Sequence, residues 1–168
     1  MANAYSVSLA LAFALREVLD AATMPESKDR TLEYGTDLNA LLNAGTALPI
    51  TKGAVLKHTC NGSDQTVDLT AMGHTLSRTV DLTGLAPVAV LIEASGENAN
   101  GVTVKTGASN GFPLLGGVSL VVVSPGAMIL AVANQGTQAV DSTHKNLTIN
   151  GTSGHVVTIT VAFGAIPS

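Results

Sequence analysis

Four Asn-Gly pairs punctuate the chain beyond residue 60: Asn61-Gly62, Asn100-Gly101, Asn110-Gly111 and Asn150-Gly151. Both residue types tolerate the positive φ that primed hairpin turns require. Pro125-Gly126 suits a type II turn in the same way. Between these signals run short stretches with a period of two. In the last of them Val157, Ile159, Val161 and Phe163 alternate with Val156, Thr158, Thr160 and Ala162. That pattern buries one face of a strand and leaves a Thr-rich face outward. Punctuation of this kind confines the chain to antiparallel β structure.

Strands are predicted over residues 54–60, 66–70, 76–82, 88–94, 101–106, 117–123, 127–133, 146–150 and 155–165. Strands this short and closely spaced predict a mainly β fold, an antiparallel β-sandwich of the jelly-roll kind. Val121, Val122 and Val123 are apolar on both faces, which predicts a central or covered strand. No fixed-period repeat is visible, which argues against a solenoid or propeller. With 168 residues, a single domain of this size can bury roughly 70% of its unfolded surface without metal or disulfide.

The N-terminal third reads differently. Residues 1–50 form a separate arm or helical segment, and residues 51–168 the β-sandwich domain. Val7, Leu9, Leu11, Phe13 and Leu15 alternate with Ser6, Ser8, Ala10, Ala12 and Ala14, a strand pattern. Leu11, Leu15, Val18, Leu19 and Ala22 also share one helical face, and Ala, Leu, Arg and Glu favour helix. The second pattern predicts a helix over residues 9–22, ended before Pro25. Thr36 or Asp37 is read as the cap of a short second helix through Leu38, Leu41 and Leu42, closed by Gly45.

Charge is scarce and unevenly placed. Asp, Glu, Lys and Arg make up 12% of the chain, net charge is −4, and residues 106–140 contain none of these four and no His. A monomer ordinarily covers itself with mixed charge. The gap predicts that these strands are covered by neighbouring subunits, or else present a neutral Thr/Ser/Asn/Gly surface. Eight Lys and Arg with 3% aromatics argue against nucleic-acid binding. The apolar run from Gly116 to Ala133 is interrupted by Ser124-Pro125-Gly126, so it reads as two strands of a hairpin rather than a membrane span.

Catalytic signals are weak. His58, His74, His144 and His155 show no metal-ligand spacing, although His58 and Cys60 would share a strand face. Ser95-Gly96-Glu97 and Ser153-Gly154-His155 read as loop fragments. Glu93 and Glu97 could pair as in a glycosidase, and Asp64, Asp68 and Asn61 could hold Ca²⁺, but solvated turn carboxylates are the stronger reading of both. The chain therefore reads as a non-enzyme with no cofactor and no metal.

The order of the last two thirds carries a resemblance. Asn98-Ala99-Asn100-Gly101-Val102-Thr103-Val104 is followed by Gly107-Ala108-Ser109-Asn110-Gly111-Phe112, then Ser124-Pro125-Gly126-Ala127, then Val157-Thr158-Ile159-Thr160-Val161. Over residues 66–166 this resembles the small β-sandwich decoration, or cement, proteins of tailed bacteriophage heads. The resemblance implies a homotrimer on the capsid surface of the virion, made in the bacterial cytoplasm, that bridges major capsid subunits and touches neither membrane nor nucleic acid. Residues 1–50 depart from that pattern. Leu11, Phe13, Leu15, Val18 and Leu19 are the candidate partner contacts on this segment. Another virion module (tail, baseplate or head fibre) and a carbohydrate-binding jelly roll are the competing expectations; the second needs aromatic platforms.

Overall fold

A computed structural model describes residues 12–18, 31–37, 50–75, 78–114, 118–132 and 138–165. The chain divides into two compact units. One is Ser8–Thr46; the other joins Met1–Val7 to Ala47–Ser168.

In the smaller unit the described residues form one antiparallel pair, β1 (Ala12–Val18) with β2 (Thr31–Asp37). The helix predicted over residues 9–22 is thus corrected where the structure describes it. The period-two alternation prevails over helix propensity, because seven consecutive residues find partners across a ladder from Ala12↔Asp37 to Val18↔Thr31. Propensity is a weak preference that pairing readily overrides. Thr36 and Asp37, read as a helix cap, are strand residues. Leu38 to Gly45 lie outside the described residues.

The described residues of the larger unit form ten strands: β3 (Ile50–Thr59), β4 (Gln65–Asp68), β5 (Met72–His74), β6 (Arg78–Val80), β7 (Leu85–Ala94), β8 (Val102–Thr106), β9 (Leu120–Val123), β10 (Met128–Val132), β11 (Asn146–Asn150) and β12 (Val156–Ala165). A single 3-10 turn, Leu69–Ala71, is capped by the Asp68 carboxylate. One four-stranded sheet has the order β10-β7-β12-β3, the other β4-β11-β8-β9, and β5 and β6 form a small hairpin. Every ladder is antiparallel. The mainly β, antiparallel expectation holds.

One buried cluster draws on both large sheets. Val90 and Ile92 of β7 and Val157, Ile159, Val161 and Phe163 of β12 join Val102 and Val104 of β8 and Leu147 and Ile149 of β11. The alternation read from β12 holds as far as Val161: Val157, Ile159, Val161 and Phe163 are buried and Val156, Thr158 and Thr160 half-buried, but Ala162, expected outward, is buried too. Burying each such side chain contributes roughly 1.5–3 kcal/mol.

The turn signals act differently from expectation. Asn61-Gly62, Asn100-Gly101 and Asn150-Gly151 do not close hairpins. They lie in connections that pass from one large sheet to the other: β3 to β4, β7 to β8 and β11 to β12. Pro125-Gly126 gives the expected local turn, with Gly126 at φ 73° and Ala127 N–H donating to Ser124 C=O at 2.9 Å. Yet β9 and β10 on either side join different sheets, so the expected hairpin is corrected to a corner. Gly151 is small for a packing reason: a Cβ there would stand 2.9 Å from Cys60 Sγ and 3.2 Å from Val102 Cγ2.

A repeated local device fastens three connections. Asp68, Asp81 and Asp141 each accept from both the N–H and the hydroxyl of the threonine two residues on, Thr70, Thr83 and Thr143. These bonds hold the Asp141 carboxyl at about 2 and pull Asp81 below its ordinary value. Asp64 is lowered by Lys105, whose Nζ lies 2.7 Å away, and then by Asn150. Carboxyls that titrate lower in the folded chain stabilise it fully above their unfolded value of about 4. That contribution is lost as pH falls toward 2. The melting temperature is therefore expected to hold from neutral pH to about 4 and to drop below it; a flat profile to pH 2 refutes this account.

Candidate interaction surface

The five candidate contacts divide. Leu11 and Leu19 lie outside the described residues. Phe13, Leu15 and Val18 fall on β1, opposite Thr36, Tyr34 and Thr31.

The chemistry-bearing residues remain scattered. Glu93 sits on β7 opposite Met128 and Thr158, while Glu97 is in the exposed turn beyond the strand. Glu93 lines an open depression of about 330 Å³ with Lys57, Ser95 and Thr158. Asp64 is taken up by Lys105 and Asn150, and Asp68 by Lys145 at 2.7 Å and Thr70. Half-buried His58 and buried Cys60 point the same way, as expected, with Cys60 in the core. Burial pushes the Cys60 thiol up, away from the reactive thiolate. Among the described residues no three His, Cys, Asp or Glu gather as a metal site, and no helix is long and apolar enough to cross a membrane.

Two further features bear on the chemistry. Gly107-Ala108-Ser109-Asn110-Gly111 is a Gly-x-Ser-x-Gly string. A nucleophile elbow needs a helix directly after the serine. Here the string is a loop after β8 that leads to buried Phe112, with Asn110 at φ 48° and its C=O accepting from the N–H groups of Lys145 and Asn146. The second is a buried polar clamp. The Asn98 amide donates to Val156 C=O at 2.9 Å and accepts from Val156 N–H at 2.8 Å. Beside it, His155 Nε2 accepts from Ala99 N–H at 3.2 Å. The clamp ties the β7–β8 turn to the start of β12, and only its neighbour sequence Asn100-Gly101 hinted at a turn there.

The uncharged stretch locates the surface that stands out. It supplies both β9 and β10, each the end strand of its sheet. Val121–Val123 is therefore not central, contrary to expectation. Val123 and Val121 face the core side, but Leu120 is 50% exposed and Val122 58%. Val118 at 50% and Met128 at 61% complete the exposed large apolar side chains among the described residues. All four come from the stretch without charge. Lys105, opposite Leu120 in the ladder, is held by Asp64.

β3 and β4, the end strands at the opposite side of each sheet, differ. β3 bears Lys52 and Lys57, and Thr75 of the small hairpin donates its N–H to Val55 C=O at 2.8 Å. β4 is four residues long and carries Asp68. Short length, charge and cover are the usual protections of an edge. β9 carries no charge, no proline and no bulge. Comparison with family models, with curated protein sequences and with solved structures finds no match for this chain.

Proposed function

We propose that the chain is a structural virion protein that decorates a tailed-phage head and bridges its major capsid subunits, in company with other copies of itself. The observation that carries this reading is the nesting of the strand pairs. β8 pairs with β9, β7 with β10, β4 with β11 and β3 with β12. A single long hairpin with those pairs, rolled so that alternate pairs fall in opposite sheets, yields the orders β10-β7-β12-β3 and β4-β11-β8-β9. Such an order supports a jelly-roll reading, and jelly rolls form viral capsid domains.

Lectins share the architecture, so topology alone leaves the sugar-binding reading standing. Phe112 and Phe163 give it no support, because both rings are fully buried. The exposed uncharged strands favour a protein lattice as the partner.

The test is direct. Phage heads prepared with and without the protein are heated, and DNA release is followed by a dye. Bound protein, in a copy number that fits icosahedral symmetry, is expected to raise the release temperature. Heads that neither bind the protein nor gain stability from it sink the reading.

A further inference from the structure

We propose that β9 is a pairing edge for a second copy of this chain, joined strand to strand about a two-fold axis. The backbone supplies the first argument. Thr106 N–H donates to Ser119 C=O at 2.9 Å, which fixes the alternation of the β8–β9 ladder. Residues 119, 121 and 123 turn their N–H and C=O toward β8. Leu120 and Val122 turn theirs to the open side of the sheet. An edge of this kind is a template for another strand.

The side chains say which strand fits. With the axis at Val121, Leu120 of each copy stands opposite Val122 of the other. Both positions carry outward-turned N–H and C=O groups, so the pair exchanges backbone hydrogen bonds as well as apolar contact. Both side chains are at least half exposed on the same face, and the pairing covers them together. A two-fold contact requires a patch to complement itself.

Charge makes the same selection. Two copies each carrying a net charge of −4 repel in general. Residues 106–140 bring no ionisable group to the contact, and the neighbouring Lys105 is neutralised within its own chain by Asp64. The edge is thus a place where two identical chains meet without opposing like charges.

Sedimentation velocity over a wide concentration range tests this on the purified chain. A dimer in equilibrium with monomer is expected. Val122→Pro removes an outward N–H without touching the β8 ladder, and Leu120→Lys sets two like charges against the pairing; both are expected to leave only monomer with an unchanged circular dichroism spectrum. Thr66→Lys on β4 is expected to dimerise as before. Amide exchange at Leu120 and Val122 should slow on dimerisation. If Val122→Pro does not fold, Leu120→Lys decides, since its side chain is half exposed. A wild-type chain that is monomeric throughout, a trimer, or a dimer that survives both substitutions overturns the proposal. The inference stands apart from the virion reading: a chain that stays monomeric yet binds heads fails here and passes there.

Discussion

Phe163→Ala is expected to cost the larger unit about 3–5 kcal/mol, the range for removing a fully buried phenylalanine. Few domains have more than about 5–15 kcal/mol to lose, so much of the chain should be unfolded near body temperature. The position makes this severe. Phe163 is buried, sits where the β12 register shifts against both β7 and β3, and packs on Phe112 at 6.1 Å between ring centroids. A cavity there would open beside buried Phe112. Urea unfolding followed by circular dichroism reads the shift in midpoint. Thr160→Ala, three residues earlier on the half-buried face, should stay within about 0.5 kcal/mol. Equal effects at the two sites would show that the core is not where the structure puts it.

Asn98→Ala is the second large effect. It leaves Val156 N–H without its acceptor at 2.8 Å, while Val156 C=O loses the Asn98 amide at 2.9 Å but keeps Ser95 N–H at 3.0 Å. One unsatisfied group costs about 1–3 kcal/mol, and that is the loss expected. Asn98→Asp keeps the acceptor for Val156 N–H but sets a carboxylate against Val156 C=O. It should be destabilised at neutral pH and recover in part on acidification, when the carboxyl can donate again. Thermal melts at two pH values distinguish the variants, and amide exchange at Val156 reports the clamp itself. Full stability in Asn98→Ala would remove the clamp from the account.

How much of this was legible in the sequence depends on what each signal encodes. Alternation encodes a strand and its buried face, and β11 and β12 were readable from it. Asn-Gly encodes a backbone that can reverse, not the sheet on the far side of the reversal. The pairs were therefore found correctly and assigned to hairpins wrongly. An apolar run encodes a preference for cover, not the source of the cover. Val121–Val123 reads as central or covered for that reason; the strand is an edge, with Leu120 and Val122 exposed. For β1, helix propensity and strand alternation coincided, and only a partner ladder separates them. The Asn98 clamp had no signal at all, because its partner is 58 residues away. The candidate surface was legible in part: missing charge marked the stretch that supplies β9, β10 and the exposed Leu120, Val122 and Met128.

The place of β12 has a consequence for synthesis. It stands between β7 and β3, yet it is made after both. Until it emerges from the ribosome, β3 lacks its ladder partner and β7 is paired on one side only. The nascent chain carries Val90 and Ile92 without Val157, Ile159, Val161 and Phe163 to cover them. Folding of this unit is thus postponed to the end of its translation, and its assembly rests on non-local pairing, the slow kind. A stalled or truncated product lacking β12 would present raw strand edges to its neighbours, the raw material of aggregates.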